Sequence, residues 1–155
     1  MSAKPRSKLK LTVGAAAILA VIVPASEGIR QYVYRDPVGI PTYCFGETEN
    51  PEWGKKYTLA ECKDKLIDRL AEFNAGVQSC VKVPMSDERR AAFVSFSYNV
   101  GTGAFCKSTL VRRVNAGDPN ACDELMKWTR AKGIELPGLV RRRKEEMKLC
   151  RGHHD

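Results

Sequence analysis

Glu27-Gly28-Ile29-Arg30-Gln31-Tyr32-Val33-Tyr34-Arg35-Asp36-Pro37-Val38-Gly39-Ile40-Pro41-Thr42-Tyr43-Cys44-Phe45-Gly46 is the stretch on which the reading of this 155-residue chain turns. Glu27 to Tyr34 reads as a short helix that Asp36-Pro37 stops, because proline cannot continue a helix. From Val38 to Gly46 the alternation of turn formers and strand formers predicts a small hairpin or three-stranded sheet. The stretch also sets two carboxylates, Glu27 and Asp36, nine positions apart. Glycoside hydrolysis needs such a pair: one carboxyl kept protonated in a dry setting for the leaving oxygen, one ionised on the opposite face of the sugar. Glu27, next to an apolar run, suits the acid; Asp36, on a polar turn, suits its ionised partner. Spacing alone does not choose this reading, since two acids nine apart occur by chance in most chains.

Upstream, Lys4, Arg6, Lys8 and Lys10 form a basic start with no acid, and Leu11 to Ser26 (LTVGAAAILAVIVPAS) is uncharged. That order belongs to a secretory signal or membrane anchor with its N-terminus in the cytoplasm. As a helix the segment reaches roughly 24 Å, short of the ~30 Å hydrocarbon core. Gly14, Ala15, Ala16, Ala17 and Ala20 weaken its hold on lipid further. Cleavage near Val23-Pro24-Ala25 is the alternative, disfavoured by the proline at the cut. The division expected is therefore residues 1–26 as basic start plus weak anchor, and 27–155 as one folded domain.

The net charge of +8 invites a nucleic-acid reading, which its distribution removes. Apart from the first ten residues, the excess sits in Lys127 to Arg151, with nine basic residues against three acidic ones, and no groove-reading motif accompanies it. Neither nucleic acid nor a metal is expected as a partner: His153-His154 lacks a third ligand, and there is no CxxC. Six cysteines in such a chain point to an oxidising compartment and three disulfides, with fifteen pairings open.

The rest reads as mostly helix. Thr58-Leu59-Ala60-Glu61 is a capping box, followed by Cys62, Leu66, Leu70 and Phe73 at helical spacing. Ser86 opens a central apolar helix through Tyr98, which Gly101 ends. Shorter helices are expected at Ser108 to Asn115 and Asn120 to Ala131, and a last one at Pro137 to Cys150. The sum is an α+β fold, mainly helical, with one small sheet near the start.

Beyond the carboxylates, Glu27-Gly28-Ile29-Arg30, the eight residues between Glu27 and Asp36, and Thr42 six after Asp36 together resemble the phage-type lysozymes or endolysins, glycoside hydrolase family 24. Phe93 to Gly101 (FVSFSYNVG), Ser108-Thr109-Leu110, Trp128 and Gly138 to Arg143 extend the resemblance from Glu27 to Cys150. An anchor rich in Gly and Ala that runs straight into the acid further resembles the signal-anchor-release endolysins. One departure is Glu47, where relatives often carry His.

The resemblance implies a lysozyme fold acting as a monomer without a cofactor on peptidoglycan, at the β-1,4 bond between N-acetylmuramic acid and N-acetylglucosamine. By carry-over Glu27 is the general acid, while Asp36 and Thr42 hold the water that attacks from the other face, with inversion. Asn99 and Trp128 are expected at the cleft wall, Trp53 against a sugar face, and one of Arg141 to Arg143 beside Glu27. Placed on that fold, Cys44 would reach Cys62, Cys80 would reach Cys106 and Cys122 would reach Cys150. Export would begin with inner-membrane association and end in the periplasm, for host lysis. The alternatives are a lytic transglycosylase, which needs no attacking water, and a non-catalytic wall-binding protein on the same fold.

Overall fold

The computed structural model describes residues 11–152, and for Ala25, Ser26 and Glu27 the backbone alone. The basic start at residues 1–10 and the His153-His154 tail lie outside the described residues. The first element, α1 (Val13–Glu27), is capped by Thr12, whose hydroxyl oxygen accepts from the Ala15 amide at 3.1 Å. No described helix is long and apolar enough to cross a membrane.

The chain then forms β1 (Arg30–Arg35) and β2 (Pro41–Cys44), an antiparallel pair. Glu27 to Tyr34 is thus not a helix, contrary to expectation. Gly28 leaves α1 at φ 75°, with its N–H closing on the Pro24 carbonyl at 3.1 Å. A residue without a Cβ enters that backbone region at little cost, and Tyr32, Val33 and Tyr34 beyond it favour a strand.

The helical lobe is built on α2 (Leu59–Cys80) and α3 (Asp87–Val100). The Thr58/Glu61 capping box forms as the sequence indicates, and α2 runs on past Phe73, the last residue of the periodic pattern, as Asn74 and Val77 prolong the buried stripe of Cys62, Leu66 and Leu70. Every residue of α3 from Ala91 to Ser97 is buried, since α1, α2, a short α4 (Thr102–Cys106) and α6 (Pro137–Cys150) all pack against it. Between them lie α5 (Thr109–Asn115) and a 3₁₀ helix, Ala121–Lys127. The helix expected up to Ala131 stops there. Lys132 and Gly133 both take positive φ (51° and 78°), the geometry of a two-residue hairpin turn, and join β3 (Arg130–Ala131) to β4 (Ile134–Glu135).

Three disulfides tie the elements: Cys44–Cys62 links β2 to α2, Cys80–Cys106 links α2 to α4, and Cys122–Cys150 links the 3₁₀ helix to α6. The hairpin is further tied to the helical lobe by the Tyr98 hydroxyl, which donates to the Phe45 carbonyl at 3.1 Å.

Candidate active site

Asp36 and Thr42 both bond to Ile40, which lies between them in the hairpin. The Asp36 carbonyl accepts from the Gly39 amide at 2.8 Å, closing a turn in which Pro37 has the φ the second position needs and Gly39, at φ 88°, follows in the left-handed region. Inside this turn Asp36 Oδ1 accepts from the amides of Val38 (2.9 Å) and Ile40 (2.8 Å). The Ile40 carbonyl in turn accepts from the Asp36 amide (2.9 Å) and from the Thr42 hydroxyl (2.9 Å). Thr42 is buried and opposite Tyr34 in the strand register. With its proton committed to Ile40, Thr42 Oγ1 offers lone pairs, and the turn amides leave Asp36 Oδ2 as a second acceptor. Two such acceptors can orient a water molecule without competing as nucleophiles.

Glu27 ends α1, three residues before β1 begins, so its backbone enters the site from the helical lobe while Asp36 and Thr42 enter from the hairpin. Its side chain lies outside what is described, and with it the pairing expected with one of Arg141 to Arg143.

The helical side contains a buried ion cluster that sequence reasoning missed. Arg143 and Glu146 of α6 are fully buried and Arg142 nearly so. Glu146 carboxylate oxygens lie 2.6 Å from Arg143 Nε and 3.4 Å from Arg142 Nε, and one accepts from the Ser95 hydroxyl at 2.6 Å. Arg143 Nη2 donates to the same carboxylate at 3.1 Å, and its guanidinium stands 4.8 Å over the Phe96 ring. Burial pushes the Glu146 carboxyl up and the Arg143 guanidinium down, while each charge pulls the other back. The signal in the sequence is Arg142-Arg143 three and four residues before Glu146, a helical spacing. The C-terminal helix is therefore not a uniformly solvated basic face: Arg141, Lys144 and Lys148 point outward, Arg142 and Arg143 inward.

Asn99 caps this cluster, its Oδ1 accepting from Arg143 Nη1 at 3.0 Å. It also lines a cavity of about 780 Å³ with Ile22, Leu136, Leu139 and Arg142. Trp128 stands edge-on to Phe96, with ring centroids 5.2 Å apart, and its carbonyl is 3.5 Å from Arg143 Nη1, so it packs against the same buried cluster. Trp53 is 56% exposed on the hairpin side, with the Arg35 guanidinium 5.3 Å from its ring, which leaves most of the indole open to a ligand. Glu47 is buried at the base of the hairpin, its backbone bridged to Tyr43. Burial pushes its carboxyl up, against the pull of Arg69 and Lys65, and its Oε2 has no hydrogen-bond partner. Among the described residues no cluster of His, Cys, Asp and Glu suits a metal ion.

A mainly helical lobe facing a short hairpin, with acceptor side chains on the hairpin and a carboxylate at the end of the entering helix, is the layout of a lysozyme-fold glycoside hydrolase. The chain belongs to the phage lysozyme family, whose pattern matches residues 24–146. It is 41% identical over 145 residues to an SAR-endolysin of Bacteriophage PS119, covering 88% of this chain and 87% of the relative. Among solved structures it resembles the muramidase domain of SpmX from Asticaccaulis excentricus (TM-score 0.79, 28% identity, 92% of this chain and 97% of that one). A mutant of P22 lysozyme is similar (TM-score 0.78, 26% identity, 90% and 97%).

Proposed function

We infer that this chain is an endolysin muramidase that hydrolyses the β-1,4 bond between N-acetylmuramic acid and N-acetylglucosamine, opening the host wall for phage release. The observation that carries the reading is the shared tether of Asp36 and Thr42 on Ile40, in the hairpin that follows a helix ending in Glu27. In this mechanism Glu27 gives its proton to the leaving glycosidic oxygen as the bond to the anomeric carbon breaks. A water held between Asp36 Oδ2 and Thr42 Oγ1 attacks that carbon from the other face and passes its proton to Asp36, which inverts the configuration. One of Arg141 to Arg143 steadies Glu27. Asn99 and Trp128 support the helical wall, and Trp53 offers a stacking face to a sugar ring.

We further propose that the segment from Leu11 to Ser26 first lies in the host inner membrane and, on release into the periplasm, docks as α1. Its surface supports this, being apolar all round: Ala15, Ile18, Leu19 and Val23 are buried in the domain, while Val13 and Val21 remain 88% and 71% exposed. A helix made only for a soluble domain carries polar residues on its outer face. While the segment is in lipid, the helix that ends in Glu27 is missing from the domain, so the tethered form is inactive.

Mass spectrometry of fragments released from purified peptidoglycan by the wild type and by Glu27→Gln tests the reading. Reducing muramic acid ends, absent with the variant, are expected. Anhydro ends would replace hydrolysis by transglycosylation and leave Asp36 and Thr42 without their role; no fragments from a folded wild type would indicate a binding protein.

A further inference from the structure

We propose that Asp87 is a latch that seats the released α1 on the domain and fixes its register, a reading that rests on the tethered-then-docked sequence above. Asp87 is the first residue of α3, behind its N-cap Ser86. Its Oδ1 accepts from the hydroxyl of Thr12, the residue that caps α1, at 2.7 Å. One carboxylate thus stands at the N-terminal ends of two helices, where their unpaired amides and dipoles favour negative charge.

Gly14 makes the room for it. A Cβ at position 14 would lie 2.9 Å from Asp87 Cγ and 3.3 Å from its Cβ, and closer still to Oδ2. Because Cγ and Cβ as well as Oδ2 lie inside that contact, the carboxylate must shift from the position in which it accepts from Thr12. The glycine therefore does more than thin the anchor's grip on lipid: it is the point in α1 that the domain recognises. A slide by one turn would bring Ala17 or Ile18 to Asp87, and both carry the Cβ that this site rejects. Glu27 lies thirteen residues along the helix, about 20 Å away, so fixing Gly14 fixes where the acid enters the cleft. Before release, Asp87 waits at the domain surface without the Thr12 hydroxyl.

The latch and simple helix propensity predict opposite signs. Alanine is the better helix former, so Gly14→Ala should strengthen α1 unless Asp87 stands in the way. The experiment uses the full chain as wild type, Gly14→Ala, Asp87→Gly and the double variant. It reads the thermal midpoint of the released, soluble protein and the membrane-pelleted fraction in cells. With Asp87 present, Gly14→Ala is expected to lower the midpoint by about 3–6 °C; with Asp87→Gly the same change is expected to raise it. The added methyl also favours lipid, but equally in both backgrounds, so only the excess retention seen with Asp87 reports the latch. A rise with Asp87 present, or equal losses in both backgrounds, would overturn the proposal. If Gly14→Ala yields no soluble protein, Thr12→Val replaces it: its loss should be greater with Asp87 than without, and equal losses would count against the latch. Neither readout involves substrate. A wild type that cleaves no peptidoglycan would remove the functional reading and leave the latch standing, while active enzymes without the coupling would remove the latch alone.

Discussion

The hairpin and the helical lobe are held together by different means. On the hairpin side, Asp36 and Thr42 are positioned by backbone amides and a carbonyl within seven residues of chain. On the helical side, the wall rests on charges removed from water, Arg142, Arg143 and Glu146, closed by Ser95 and Asn99 from a helix some fifty residues earlier. The residues proposed to take part in the reaction are thus held by different interactions from those that bury charge in the helical lobe. The hairpin turn is closed by backbone bonds as well as by the Asp36 carboxylate, whereas loss of Glu146 removes the carboxylate that the buried Arg143 faces.

The largest expected effect follows from that second half. Glu146→Ala leaves the fully buried Arg143 guanidinium without the carboxylate it faces, and breaking such a pair typically costs about 3–5 kcal/mol. For a domain of this size that is a fall of roughly 10–15 °C in Tm, measurable by calorimetry. Replacing the exposed Lys127, which bridges to Glu124 at 2.8 Å, by alanine should cost under about 1 kcal/mol, because Arg113 still pairs with that carboxylate. Comparable losses from the two would show that burial does not set the difference. Next in size is Thr42→Val, which keeps the volume and removes the hydroxyl. Turnover is expected to fall by about 10²-fold or more, with Tm nearly unchanged because only one bond to Ile40 is lost. A drop in Tm as large as that of Glu146→Ala would erase the contrast between the two walls.

The same division explains what can be read from the chain. Asp36 and Thr42 can be paired from the sequence because a local hairpin fixes their spacing, and the capping box at Thr58 and the apolar face of α2 are equally local. The buried cluster is not legible as a cluster: Ser95 and Glu146 are 51 residues apart, and Arg141 to Lys144 reads as a solvated run until α3 is packed against it. Glu27 to Tyr34 misleads for a different reason. The apolar run leads into it with helical character, and only the positive φ at Gly28 and the pairing with β2 turn it into a strand. The helix expected through Ala131 fails likewise on a turn, Lys132-Gly133, whose partner strands are two residues each.

Glu47 tests the comparison where it is weakest, because it sits on the hairpin side and is buried like the helical cluster. Its carboxyl faces Arg69 and Lys65 of α2, which favour the charged form, and Glu49 and Glu72, which oppose it; burial, the largest influence, lifts it above the ordinary glutamate value of 4.5. The folded protein therefore holds this proton more tightly than the unfolded chain does. The stabilisation from the bound proton is complete below about pH 4.5 and is lost as pH rises through the raised value. Glu47→Gln cannot ionise, so its stability should match the wild type below about pH 4.5 and exceed it at pH 7 by about 1 kcal/mol, the lower end of the cost of an unsatisfied buried polar atom. Thermal unfolding of both proteins across that range measures it. A variant less stable than the wild type at pH 7 would mean that Arg69 and Lys65 outweigh burial. Glu47 would then be an ion pair of the same kind as Glu146, and the hairpin wall, like the helical one, would depend on buried charge.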